Sequence, residues 1–192
     1  LHLGAVDQDC VIWVNEHKVG GHSGGYLPCT FDVTQYLFKG NNLLRIWVKD
    51  ETDASPMPRG RQRLNSDATW HSSVSGIWQT VWLEHVPYNY IQNVRITPRY
   101  DERCIELGVK MSDVDRVARA EIYAQGTLIS TVDFWTNQPV LIALPYMRSW
   151  SPEYPFLYDI KIIAEQDQVF SYFGMRKFSK AVFPDGKTRL LL

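Results

Sequence analysis

The sequence has few of the features that mark several common classes of protein. Only three of its 192 residues are cysteines, Cys10, Cys29 and Cys104, and none stands in a CxxC pair. The sequence therefore predicts neither a disulfide framework nor a zinc site. No apolar run approaches the roughly 18 residues of a membrane-spanning helix. Lysine and arginine total 20 against 21 acidic residues, so no basic excess favours nucleic acid or a membrane surface as a partner.

The cysteines also bear on the compartment. We interpret them as small apolar side chains of the core, which favours a reducing, cytoplasmic location. The chain opens on Leu1-His2-Leu3 without an initiator methionine or a signal peptide. We therefore expect its natural start upstream, and a secreted or periplasmic location stays open.

Catalytic motifs are equally scarce. The segment Ser73-Val74-Ser75-Gly76 is no nucleophile elbow, because it lacks the first glycine and precedes a strand. The glycines around His22 do not open a helix, which excludes a phosphate cradle. The five histidines show neither helical pairing nor metal-ligand spacing; they are His2, His17, His22, His71 and His85. The sequence thus predicts no catalytic residue, no metal ligand and no cofactor.

Hydrophobic periodicity is present, and it is that of strands. Residues 77–84 alternate apolar and polar or aromatic positions with a period of two, which predicts one long strand that closes a first domain. No segment of ten or more residues shows a helical period. The chain is therefore predicted to be all-β.

Residues 1–86 read as short strands joined by turns. A polar connection at residues 15–18 predicts a hairpin, and the glycines between residues 20 and 25 predict a loop. The apolar run at residues 43–48 predicts a strand buried on both faces. Residues 49–73 form a long polar segment, of a length that is usually functional or disordered.

A second all-β series follows Pro87, and it has about seven predicted strands with the spacing of an immunoglobulin-like sandwich. The strands are predicted at residues 91–98, 104–111, 117–124, 128–134, 140–144, 157–164 and 168–173. Asp185-Gly186 marks a further hairpin in the tail.

Five motifs, in order, carry a family resemblance. The most specific is Ser75-Gly76-Ile77-Trp78-Gln79-Thr80-Val81-Trp82-Leu83-Glu84. The others are Gly4-Ala5-Val6-Asp7 with Val11-Ile12-Trp13-Val14-Asn15, Gly20-Gly21-His22-Ser23-Gly24-Gly25-Tyr26, Pro58-Arg59-Gly60-Arg61-Gln62, and Ser171-Tyr172-Phe173-Gly174-Met175-Arg176-Lys177. With these motifs the chain resembles the family 2 glycoside hydrolases, which include β-galactosidases, β-glucuronidases and β-mannosidases.

The resemblance implies an architecture. It implies the C-terminal part of a jelly-roll (galactose-binding-like) sandwich at residues 1–86, an immunoglobulin-like sandwich at 87–177, and at 178–192 a linker or hairpin toward a catalytic barrel that the sequence does not include. A β-sandwich pair cut from such an enzyme is expected to lack strands of its jelly roll. Those strands would come from residues upstream or from a neighbouring chain, so a homo-oligomer is a possible state.

The resemblance also bears on catalysis. Retaining hydrolysis of β-glycosidic bonds needs two carboxylates about 5–5.5 Å apart, and in the family both lie in the barrel. The one Asn-Glu pair with the family's acid/base pattern, Asn15-Glu16, falls in a polar turn, so we predict that Glu16 is not catalytic. The parent protein is expected to be a glycosidase that acts on a β-linked oligosaccharide or glycoside, and this chain is expected to be inactive.

The long segment holds the candidate site residues. Some family members use an aspartate shortly before a tryptophan here to contact the sugar, which Asp67 and Trp70 match loosely. Arg59, Arg61 and Arg63 are predicted to form interdomain salt bridges to the barrel. A stand-alone, lectin-like module is the alternative function and a purely adhesive sandwich pair is another. Most of the tryptophans that a lectin could use are expected in the core.

Overall fold

The computed structural model describes residues 1–192, and these form β-strands with no α-helix. The all-β prediction is therefore confirmed. The chain divides into two compact units, Leu1–His85 and Val86–Leu192. The domain boundaries that the sequence predicts, after residues 86 and 177, stay predictions.

The first unit contains ten short strands around a small apolar core. The strands are β1 His2–Leu3, β2 Val6–Asp7, β3 Asp9–Val14, β4 His17–Ser23, β5 Cys29–Thr30, β6 Leu44–Lys49, β7 Gln62–Arg63, β8 His71–Ser72, β9 Gly76–Ile77 and β10 Val81–Trp82. Strand β3 is central in the sheet β4-β3-β6, and β1 is central in the sheet β10-β1-β5. The core contains Leu3, Val6, Cys10 and Ile12, each from an inward-facing position of β1, β2 or β3.

The predicted hairpin after Val14 is confirmed. Asn15 and Glu16 both have positive φ, 48° and 70°, the conformation that a two-residue turn between twisted strands requires. The Asn15 side chain fixes the turn, since its Nδ2 donates to the Tyr36 carbonyl oxygen at 2.8 Å and its Oδ1 accepts the Leu43 N–H at 2.8 Å. Glu16 is exposed at the tip.

The loop predicted between residues 20 and 25 is wrong in its first half. Gly20 and Gly21 lie inside β4, and the chain turns only at Gly24, where φ is +114°. A Cβ on Gly20 would lie 2.6 Å from the Phe31 ring, and one on Gly21 would lie 2.7 Å from the Cys10 carbonyl oxygen. These two glycines therefore serve close packing within the unit and not a loop.

The single long strand predicted at residues 77–84 is also wrong. The structure has two short strands, β9 and β10, separated by a bend at Gln79. The segment is divided because its pairing partners are divided. Strand β9 pairs with β2 and β10 pairs with β1, and the N-terminal segment is interrupted between Leu3 and Val6. A Cβ on Gly4 would lie 2.8 Å from the Gln79 Cβ, so both segments bend where they cross.

Burial in the first unit differs from the prediction in a further way. Strand β6 is an edge strand of its sheet and is not buried on both faces, because Trp47 is 50% exposed. None of the seven tryptophans belongs to the buried core, and Trp78 and Trp82 are also exposed. The expectation that most tryptophans pack in the core is therefore wrong. The core of the first unit is aliphatic apart from Cys10, and its tryptophans lie outside that core.

The second unit contains the strands β11 Ile91–Arg99, β12 Cys104–Met111, β13 Val117–Ala124, β14 Thr127–Trp135, β15 Val140–Ala143, β16 Tyr158–Ala164, β17 Asp167–Phe173, β18 Ser179–Val182 and β19 Thr188–Leu191. They form a sandwich of a three-stranded sheet, β11-β12-β15, and a four-stranded sheet, β14-β13-β16-β17, with a separate hairpin, β18-β19. All seven predicted strands are present to within a residue or two, and the tail hairpin is confirmed.

The core of this sandwich consists of alternate residues from its two sheets. Leu107 in β12, Ile122 in β13 and Ile162 in β16 are fully buried. Tyr158 is also buried, stacked on Phe173 at 5.2 Å between ring centroids. Its hydroxyl oxygen accepts the Arg148 N–H at 2.7 Å, which satisfies the one polar atom of a buried ring.

Candidate functional site

The long polar segment of the first unit is partly ordered into secondary structure. It contains a 3₁₀ turn at Thr52–Ala54 and the two strands β7 and β8, which pair in parallel. The pairing brings the middle of the segment, around Arg63, beside its end at Ser72. The candidate site residues of the sequence, 59 to 70, therefore lie on one folded segment.

One glutamine attaches this segment to the sheets. The Nε2 of Gln62 donates to Oδ2 of Asp7 at 3.3 Å, and its Oε1 accepts the Val74 N–H at 2.8 Å. Asp7 belongs to β2 and is only 9% exposed. A single amide thus connects β7 both to β2 and to the chain that leads into β9.

Asp50 holds the start of the segment. Its Oδ1 accepts the Thr52 N–H at 2.6 Å and its Oδ2 accepts the Ser75 hydroxyl at 2.7 Å. Burial disfavours the charged form, but the hydrogen bonds from Ser75 and Thr52 outweigh it, so the pKa of Asp50 is lowered. Asp50 is therefore a carboxylate whose two oxygens are both engaged within the protein.

Burial raises the pKa of Asp7, and the nearby Asp50 charge adds to this effect, while the Gln62 hydrogen bond opposes it. Two carboxyl groups with pKa values displaced in opposite directions are also the pattern of an acid/base pair. Here the geometry excludes that role. The Asp7 Oδ1 lies against Gly25 so closely that a Cβ on Gly25 would be 2.5 Å away. Asp7 is also largely buried and both oxygens of Asp50 accept hydrogen bonds within the chain, so the pair is structural.

The Asp7 geometry predicts a pH dependence. A folded-state pKa raised above the unfolded value of 3.8 means that the stabilising contribution of Asp7 is present below pH 3.8 and is lost as the pH rises through the folded pKa. Asp7→Asn keeps the Gln62 contact and removes the charge. In urea unfolding at a series of pH values, we expect Asp7→Asn to gain stability relative to the unsubstituted chain as the pH rises from 4 to 7.

Asp133→Asn is the control with the opposite sign. The Arg119 hydrogen bonds lower the pKa of Asp133, so its contribution is present at neutral pH and is lost on acidification. If the unsubstituted chain and Asp7→Asn showed the same dependence of unfolding free energy on pH, burial would not disfavour the charged form of Asp7.

The structure brings Asp67 and Trp70 together with two of the three arginines. The Asp67 Oδ1 accepts the N–H groups of Thr69 and Trp70 at 2.9 and 3.3 Å, which closes a turn. Arg63 lies over the Trp70 ring, 4.2 Å from its centroid, in a cation–π contact. Arg61 Nε donates to the Thr69 carbonyl oxygen at 2.7 Å. We call Asp67, Trp70, Arg61 and Arg63 the loop cluster.

The loop cluster keeps unused polar capacity. The Oδ2 of Asp67 has no hydrogen-bond partner in the chain, and neither Arg59, Arg61 nor Arg63 forms an ion pair. The Nε atoms of Arg59 and Arg63 are buried without a partner. The interdomain salt bridges expected of these arginines stay a prediction.

Sequence reasoning missed the residues that hold the segment in place. Asp7 and Gln62 each end a motif that carried the family resemblance, which was the available signal, whereas Asp50 had none.

No group of three or more histidine, cysteine or acidic side chains is placed to hold a metal ion. None of the helical segments has the length and apolarity that crossing a membrane demands.

Comparison with known proteins shows the class to which this fold and loop cluster belong. Residues 1–87 match the family model described as the sugar binding domain of glycosyl hydrolases family 2. The match assigns residues 1–87 to the sugar binding domain of that family, as the motifs within those residues imply.

Individual relatives agree with the family. A protein of Formosa agariphila that carries a provisional β-glucuronidase name is 28% identical over all of this chain, which covers 25% of that protein. A β-galactosidase of Thermoanaerobacter pseudethanolicus is 26% identical over 90% of the chain, and the match covers 24% of the relative. The chain thus spans about a quarter of the length of these curated relatives.

A solved structure has the same fold. The β-glucuronidase of Ruminococcus gnavus matches 98% of the chain with a TM-score of 0.78 at 16% identity, and this covers 35% of the solved chain. The match covers both β-rich units, which supports the jelly-roll and immunoglobulin-like assignment made from the motifs.

Proposed function

We propose that this chain is the sugar-binding and scaffolding part of a family 2 glycosidase of β-galactosidase or β-glucuronidase type. The parent enzyme would hydrolyse β-glycosidic bonds with retention, using carboxylates outside residues 1–192. Two features support a non-catalytic role. The neighbouring carboxyl groups of Asp7 and Asp50, whose pKa values are displaced in opposite directions, accept hydrogen bonds from Gln62 and Ser75 within the chain. Glu16 lies exposed at a hairpin tip.

The loop cluster is the observation that carries the proposal. Sugar sites in proteins combine an aromatic face with a few placed polar groups. Trp70 supplies the aromatic ring, Arg63 covers it on one side, and Asp67 keeps a free carboxylate oxygen beside it. In the proposed role, Asp67 and Trp70 contact a β-linked sugar at the wall of the pocket. Arg59, Arg61 and Arg63 pair with acidic groups of the catalytic domain.

The proposal includes two further expectations. Subunit association would cover the exposed tryptophans of the first unit, Trp47, Trp78 and Trp82. A cytoplasmic location is the compartment that we favour from the cysteine content.

Nuclear magnetic resonance titration of the ¹⁵N-labelled chain tests the sugar contact. Because only one wall of the pocket is present, we expect methyl β-D-galactoside or methyl β-D-glucuronide to bind weakly, with a Kd on the order of millimolar, and to shift the Trp70 indole N–H signal. Asp67→Asn and Trp70→Ala are expected to weaken binding about tenfold, the effect of losing about 1.4 kcal/mol.

Trp135→Ala is the matched control, because Trp135 is an exposed tryptophan of the other unit. Shifts that map to Trp135 or that persist in Trp70→Ala would contradict the proposed wall. Micromolar binding would instead favour the stand-alone, lectin-like function.

A further inference from the structure

The second unit has an open cavity of about 600 Å³ where β11 and β17 end and β16 begins. Ile96 and Pro98 of β11 and Leu157, which precedes β16, give it aliphatic walls, and Phe173 of β17 is the buried part of its lining. Sites for small molecules in proteins have volumes of roughly 300–1,000 Å³ and mostly apolar walls with a few polar groups. The cavity has the size and the lining of such a site.

The aromatic wall of the cavity is fixed in place. The Trp150 backbone N–H donates to the Met175 carbonyl oxygen at 2.8 Å. A Cβ on Gly174 would lie 3.3 Å from the Trp150 Cγ, so the lack of a side chain at Gly174 leaves room for the indole ring. Tyr172 and Phe178 also line the cavity, and both rings are largely exposed. Their faces are therefore accessible to a bound molecule.

Arg176 is the only charged residue that lines the cavity. Its guanidinium carbon lies over two aromatic rings, 5.0 Å from the Trp150 centroid and 4.8 Å from the Phe178 centroid. Arg176 is not among the arginines that donate side-chain hydrogen bonds or form ion pairs within the chain. A guanidinium whose face packs on aromatic rings keeps its N–H groups for a planar anion, and a carboxylate fits them with two parallel hydrogen bonds.

We propose that this cavity binds a small aromatic carboxylate, with its ring system against the apolar walls and its carboxylate on the Arg176 guanidinium. The charge of Arg176 favours an anion over a neutral or cationic molecule. The aliphatic walls offer no side-chain hydrogen-bonding group, so they favour an apolar ring over a sugar, whose buried hydroxyls would each need a partner. The loop cluster belongs to the first unit, and the proposal does not depend on the sugar contact there.

The test compares two ligands of matched size and shape that differ in charge, 2-naphthoate and 2-naphthamide. Each is titrated into the ¹⁵N-labelled 192-residue chain and followed by nuclear magnetic resonance. We expect 2-naphthoate to bind with a Kd on the order of 0.1 mM and to shift the Gly174 N–H and Trp150 indole N–H signals. We expect 2-naphthamide to bind about tenfold more weakly, which corresponds to about 1.4 kcal/mol.

Two arginine variants show whether Arg176 causes this preference. Arg176→Met keeps an unbranched apolar side chain and removes the charge, so the two ligands are expected to bind it with equal affinity. Arg95→Met is the matched control, because Arg95 is an exposed arginine of β11 that does not line this cavity. It should keep the full preference for 2-naphthoate. The comparison of the two ligands on the unsubstituted chain gives a result even if Arg176→Met fails to fold.

Several outcomes would overturn the proposal. Equal affinities of the two ligands for the unsubstituted chain would show that no cation selects the carboxylate. A preference that persists in Arg176→Met, or shifts that map to the first unit, would place the binding elsewhere. Sedimentation velocity tests a different occupant: a dimer that Arg176→Met dissociates and that 2-naphthoate leaves intact would show that a second copy of the chain fills the cavity.

Discussion

An Ile122→Ala substitution is expected to lower the free energy of unfolding of the second unit by about 3 kcal/mol, within the range of roughly 2–5 kcal/mol for loss of a buried isoleucine side chain. Ile122 lies at the centre of β13, which pairs with β14 on one side and β16 on the other. It is fully buried, so its removal leaves a cavity that two sheets must enclose. Chemical denaturation followed by near-ultraviolet circular dichroism measures the loss.

Leu128→Ala is the control for this prediction. Leu128 lies on the adjacent strand β14 and is 51% exposed, so truncation should cost well under 1 kcal/mol. Equal losses for the two variants would contradict the placement of Ile122 in the core and of Leu128 outside it.

Gly21→Ala is expected to destabilise the first unit by about 1–3 kcal/mol, the usual cost of adding a methyl group to a closely packed position. The new Cβ would lie 2.7 Å from the Cys10 carbonyl oxygen, which is backbone and cannot rotate away. The ladder between β3 and β4 must then separate locally, although the φ of Gly21 is ordinary for a strand. Urea unfolding of the chain measures the effect.

Gly108→Ala is the matched control. Gly108 also lies inside a strand, β12, but a Cβ there would meet only the Arg95 Cβ at 4.0 Å, an ordinary contact. Removing the flexibility of a glycine without strain stabilises a protein by about 0.4–1 kcal/mol. If Gly21→Ala were no more destabilising than Gly108→Ala, the close approach of β3 and β4 would be wrong.

The second unit could be predicted almost completely, since its strands alternate inward and outward residues and end at recognisable turns. The segment from Cys104 to Met111 shows why: four of its residues with side chains toward the core alternate with others that are more exposed. The local sequence is enough to predict such a strand, because one of its faces packs on the core and the other is more exposed.

The first unit was harder to predict because its strands depend on partners far along the chain. The alternation at residues 77–84 is real, but the segment bends at Gln79 where Gly4 crosses it. Gly20 and Gly21 looked like turn residues, and only the positions of Phe31 and Cys10 reveal their packing role. Trp47 is apolar, yet its strand lies at a sheet edge. Tertiary contacts outweigh local propensity at all three places.

The candidate site was predictable in its members but not in its geometry. Asp67 and Trp70 were found by resemblance, and the structure adds that the Asp67 carboxylate closes the turn before Trp70. The stacking of Arg63 on Trp70 and the link from Gln62 to Asp7 join residues of different periodic segments.

The most direct test of the proposed non-catalytic role is a fluorogenic assay of the purified 192-residue chain with aryl β-galactoside and β-glucuronide substrates. The account predicts no turnover above the buffer background, because the proposed function places both carboxylates of retaining hydrolysis outside residues 1–192. Turnover that survives removal of contaminating glycosidases and disappears in Glu16→Gln or Asp7→Asn would contradict it.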